Sequence, residues 1–129
     1  MNKILVQVSV GELLDKISIL EIKLDKIKDN EKLKFIKDEY NILKKEFDEN
    51  VNQNKKIDDL FKSLKEINLK LWVIEDDKRM CEKNSDFGEN FIKLSRDIHF
   101  LNDERAKLKL EINNISGSKL KEIKEYTQY

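Results

Sequence analysis

The fold is decided by the stretch Ser9-Val10-Gly11-Glu12-Leu13-Leu14-Asp15-Lys16-Ile17-Ser18-Ile19-Leu20-Glu21-Ile22-Lys23-Leu24-Asp25-Lys26-Ile27. Its first four residues form a capping box. The Ser9 hydroxyl is placed to accept from the Glu12 amide, and the Glu12 carboxylate to reach back to the Ser9 amide. Val8 before the cap and Leu13 after it are spaced for a hydrophobic staple. Val10, Leu13, Ile17, Leu20, Leu24 and Ile27 then recur at alternating spacings of three and four, the repeat of one helix face. Ile19 and Ile22 fall off that stripe, so the helix is apolar on more than one face. Such a helix sits at the centre of a bundle or meets a second subunit.

Working outward, Asp29-Asn30 favours a cap or turn over a helix interior and marks a break. Leu33, Ile36, Tyr40, Leu43 and Phe47 define a second helix, and the asparagine-rich run 48–54 reads as a loop. A third helix follows on Ile57, Leu60, Leu64, Ile67, Leu71 and Ile74, ending near Asn84. Asp86-Phe87-Gly88-Glu89 has the form of a second capping box, opening a fourth helix on Phe87, Phe91, Leu94, Ile98, Leu101, Arg105, Leu108, Ile112 and Ile115. Gly117 suits a C-terminal cap, with a short helical tail expected from Lys119. The last two helices would each span roughly 40 Å at 1.5 Å per residue, and a tight turn makes them an antiparallel hairpin. The expected architecture is all-α: one domain over residues 1–129, a bundle of about four amphipathic helices with heptad-like, coiled-coil seams, a long antiparallel C-terminal helical hairpin and a short extended N-terminal segment. That segment, Ile4 to Val8, has strand-like composition. It either lies extended over the bundle or pairs with its copy in a dimer.

Composition narrows function by exclusion. The chain has 26 basic and 26 acidic residues and no net charge, so no surface accumulates for nucleic acid or anionic lipid. Cys81 and His99 stand alone, which rules out an intrachain disulfide and a Cys/His zinc site. A reducing, cytoplasmic setting is expected, with no membrane span, no metal and no cofactor. Lysine-rich runs such as Lys44-Lys45 read as solvated faces.

The anomaly lies in the hairpin. Phe61, Asn68, Trp72, Glu75, Arg79 and Glu82 form a second stripe beside the seam of the third helix, aromatic at first and then charged. Arg105 occupies a seam position of the fourth helix between Leu101 and Leu108, with Asn102 and Lys109 one residue further round. In an antiparallel hairpin turning at about residue 86, Arg96 falls beside Glu75 and Asp76, and Arg105 faces Ile67 and Asn68. Only Arg79, Arg96 and Arg105 among the 26 basic residues are arginine, and guanidinium gives bidentate recognition of carboxylate or phosphate and tolerates partial burial. The candidate ligand-binding set is therefore Glu21, Trp72, Glu75, Arg79, Arg96, Asn102 and Arg105. In the plainer reading Arg105 pairs with Glu21 or Glu75 and fixes the register of the bundle.

Three motifs look familiar together: Val8-Ser9-Val10-Gly11-Glu12-Leu13-Leu14-Asp15-Lys16-Ile17-Ser18-Ile19-Leu20-Glu21-Ile22-Lys23, Leu71-Trp72-Val73-Ile74-Glu75-Asp76-Asp77-Lys78-Arg79 and Asn102-Asp103-Glu104-Arg105-Ala106-Lys107-Leu108-Lys109. They resemble the signature of a family of small bacterial and phage proteins of unknown function. Members of that family usually read Leu-Ala-Arg where this chain has Leu94-Ser95-Arg96, a mild departure. The resemblance implies that the unusual polar residues belong to the signature, and it carries no activity. Two functions remain in competition. The first is a non-enzymatic module, dimeric, whose polar cluster fixes the bundle or holds an anionic small molecule. The second is a helical enzyme, either chorismate-mutase-like or a metal-dependent pyrophosphohydrolase using Glu75, Asp76, Glu82 and Asp103 for Mg²⁺. The spacing of paired glutamates that the latter needs is missing.

Overall fold

A helix begins where its first free amides find an acceptor, and three of the four helices do so as the sequence suggests. The computed structural model describes residues 3–118. It contains α1 (Val10–Lys26), α2 (Asn30–Asn50), α3 (Lys55–Lys83) and α4 (Glu89–Ser116). Ser9 Oγ accepts from the Glu12 amide at 3.1 Å, Asp29 Oδ1 from the Glu31 and Lys32 amides, and Asn54 Oδ1 from the Ile57 amide at 2.9 Å. Gly117 closes α4 in the left-handed region at φ 71°. The tail expected from Lys119 lies outside the described residues.

Two local expectations change. The Glu12 carboxylate does not close the box at Ser9; it accepts from Lys109 Nζ at 2.7 Å, because α4 offers it a cation. The second capping box does not form either. α4 begins at Glu89 with Gly88 as its cap and no side-chain cap bond, while Asp86 Oδ1 accepts from the Gly88 amide. The chain spends these residues on ending α3 instead. Ser85 takes a left-handed φ of 53°, and the Ser85 and Asp86 amides donate back to the Glu82 and Cys81 carbonyls, a Schellman closure.

Packing is organised around α1. It contacts α2, α3 and α4, whereas among the described residues the backbone of α2 comes close to no helix but α1, which resolves its all-round apolar pattern in favour of a central position. The core joins Leu13, Leu14 and Ile17 of α1 to Phe47 of α2, Ile57 and Leu64 of α3, and Ile112 of α4. Burying each of these side chains contributes about 2 kcal/mol. α3 and α4 form the expected hairpin. Gly11 meets Asn113 and Asp15 meets Arg105, so α1 runs antiparallel to α4. With 17 residues against 29 and 28, α1 covers about 25 Å of a hairpin about 43 Å long. The turn end, carrying Glu75 to Lys83 and Glu89 to Asp97, projects beyond it. There is no strand among the described residues; Ile4, Leu5 and Val6 belong to no helix or strand and are 86, 83 and 75% exposed.

Candidate functional site

Asp15 and Ser18 are polar residues on a helix surrounded by apolar neighbours, and both are buried. Burial of such groups is costly unless each finds a partner. α3 and α4 supply them. Asp15 Oδ1 accepts from Asn68 Nδ2 at 2.8 Å and from Arg105 Nε at 3.0 Å. Its Oδ2 accepts from the second arm of the same guanidinium. The other Asn68 amide hydrogen goes to Ser18 Oγ at 2.8 Å, and the Ser18 hydroxyl donates to the Asp15 carbonyl. One carboxylate thus ties three helices at one point.

The network continues along α1 in both directions. Towards its start, Lys109 bridges to Glu12, Asn113 Oδ1 accepts from the Gly11 amide at 2.7 Å, and Ser118 Oγ from the Val10 amide. Gly11 is required here, since a Cβ at this position would lie 2.5 Å from the Lys109 carbonyl oxygen and 2.9 Å from Asn113 Oδ1. Towards its end, Glu21 bridges to Lys65 at 2.9 Å and accepts from the Tyr40 hydroxyl, bringing α2 into the same line.

Electrostatics agree with this geometry. Burial pushes the Asp15 carboxyl up, but the hydrogen bonds from Arg105 and Asn68 and the charges of Arg105 and Lys109 outweigh it and hold the group below the ordinary 3.8. Asp15 is therefore a carboxylate in the folded protein. Burial and the neighbouring Glu21 charge push the Tyr40 phenol above 10.0, so Tyr40 stays a donor.

The residues expected to form a site do not gather into one. Arg105 stands in the network, with Asp15 rather than Glu21 or Glu75 as its partner. Glu21 lies further along α1 with Lys65. Trp72 and Asn102 are half-buried, whereas Glu75, Arg79 and Arg96 are exposed on the projecting end. Along the helices Arg96 is about 14 Å and Arg79 about 18 Å from the level of Arg105. Cys81 is buried and accepts from Asn90, and His99 is exposed.

Asp15 and Ser18 were missed because they lie within one of many acidic and polar stretches. The signal was available: a helix apolar on more than one face buries any polar residue set among those faces. No buried side-chain polar atom lacks a partner among the described residues. Nor does any group of three or more His, Cys, Asp or Glu side chains gather there as a metal site. No helix among them is long and apolar enough to cross a membrane.

A four-helix, all-α bundle closed by a polar seam is the class of protein that these features define. Residues 4–129 match a family of unknown function (DUF6165), and the chain belongs to that family. No curated protein and no solved structure is a significant match.

Proposed function

We propose that this protein is a non-enzymatic, self-associating helical module, and that its polar seam is an internal clamp. The observation that carries this reading is the apolar surface left over once the core is filled. Ile4, Leu5 and Val6 before α1, Phe35 and Ile42 of α2 and Ile92 of α4 are each more than half exposed, and association of two copies would take such surface out of water. The anion-binding reading loses its anchor, because both arms of the Arg105 fork that an anion would need are engaged by Asp15. The enzymatic readings gain no support, since Glu75, Asp76 and Glu82 are spread over an open helix surface.

The test is sedimentation velocity of the full chain at micromolar and at submillimolar concentration. A concentration-dependent shift to twice the monomer mass is the expected result. A monomer at every concentration, combined with a thermal-shift response to phosphate or dicarboxylates, would replace this reading with the ligand site.

A further inference from the structure

The core is left open on one side. α2 and α3 both lie against α1, yet among the described residues their backbones do not come close to one another. Side chains fill the space between them only in part. What remains is a pocket of about 140 Å³, with Leu14 and Ile17 of α1, Phe47 of α2, and Ile57 and Phe61 of α3 in its wall. The first four are buried members of the core, and Phe61 packs against them. The rest of the wall is polar: Glu21, Lys44, Gln53 and Asp58.

These four polar groups are not equivalent. Glu21 accepts from Lys65 and from Tyr40. Lys44 pairs with Asp48, and Gln53 donates to the same carboxylate. Asp58 is exposed, and its side chain has no hydrogen bond or ion pair with another described residue. Every charge in the wall but one is thus matched, and the one left over is negative. Volume sets the other half of the ligand. Pockets for drug-sized molecules start at about 300 Å³, whereas an apolar cavity of about 150 Å³ takes up a single benzene ring. α2 offers the way in. Phe47 is its only buried residue, and a segment with few buried apolar contacts opens at low free energy.

We propose that this pocket binds a small amine carrying one aromatic ring, with the ring packed against Phe47 and Phe61 and the ammonium at Asp58. Aromatic rings contact one another favourably in edge-on or offset geometry. An alkylammonium is charged at neutral pH, as a lysine side chain is, and supplies the cation that Asp58 lacks. An anion of the same size meets the unmatched carboxylate and is disfavoured. The site lies apart from the Asp15–Arg105 pair, and it does not depend on self-association.

The experiment is an NMR titration of the full chain with three probes of one size: phenethylamine, phenethyl alcohol and hydrocinnamate. The amine is expected to bind saturably, with the largest amide shifts around Leu14, Phe47 and Phe61. It should bind about two- to fivefold more tightly than the alcohol, the range of an exposed ion pair, and the carboxylate should bind most weakly. Asp58→Asn, on the exposed surface, brings the amine down to the affinity of the alcohol and leaves the alcohol unchanged. Phe61→Trp adds bulk to the wall and weakens the amine and the alcohol alike, with circular dichroism checking that both variants are folded. Shifts that fail to saturate, or that scatter over the surface, overturn the pocket. Equal binding of amine and carboxylate, or an Asp58→Asn variant that still prefers the amine, overturns the assignment of an amine.

Discussion

The hairpin of α3 and α4 is one seam, and its two ends treat charge in opposite ways. Where α1 lies against it, Asn68, Arg105, Lys109 and Asn113 are drawn under cover, and each is bonded to a group of α1. Beyond the end of α1, Glu75, Arg79 and Arg96 sit on similar helices with the same heptad-like spacing and remain in water. The difference comes from coverage, since a third helix removes the solvent that would otherwise satisfy these groups. A polar residue under α1 becomes a fastening, whereas one on the bare end stays hydrated and costs nothing to keep.

The comparison breaks most visibly at the arginines. Arg105→Leu leaves the Asp15 carboxylate buried without its cation and should cost about 3–5 kcal/mol in urea unfolding, whereas Arg79→Leu should stay within about 0.5 kcal/mol in the monomer. A stabilising Arg105→Leu would mean that the pair is not a clamp. The glycines repeat the contrast at a smaller scale. Gly11→Ala drives a methyl into the α4 backbone and should cost about 1–3 kcal/mol. Gly88→Ala, whose nearest neighbour would be Asp86 Oδ1 at 3.5 Å, should be close to neutral by thermal denaturation.

Acid sharpens the same point. The folded-state pKa of Asp15 is depressed, so its contribution is full above the unfolded value of about 3.8 and fades as pH falls through the lower native one. Unfolding free energy measured between pH 5 and 2 should therefore drop more steeply in wild type than in Asp15→Asn. Equal slopes would show that Asp15 is not the linked group. Ser9→Ala, which removes the α1 cap, should cost about 1 kcal/mol. The smallest effect belongs to the projecting end: Asp97→Asn breaks the exposed pair with Lys93 and should cost the monomer no more than about 0.5 kcal/mol.

Much of this was legible in the chain. Ser9, Asp29 and Gly117 each mark a helix terminus by local chemistry, and a cap needs nothing beyond its own turn. Arg105 could be singled out because a charge on an apolar seam position is anomalous whatever lies opposite. Its partner could not be named, since Asp15 is 90 residues away and acidic residues are plentiful. Grouping Glu75, Arg79 and Arg96 with Arg105 failed for a related reason: periodicity gives the face of a helix but not how far along it a neighbour extends. The second capping box failed because Asp86 serves both as the residue closing α3 and as an acceptor for Gly88, and spacing alone does not show which end claims it.

By itself, then, the sequence determined the four helices of the described residues, most of their ends, the apolar faces and the presence of a misplaced arginine, because these follow from interactions within a turn or two. Tertiary structure decided that α1 is the central helix, that it covers only part of the hairpin, and that Asp15 is the carboxylate where three helices are tied. Those outcomes depend on which surfaces exclude water from which groups, and that exists only once distant segments have packed.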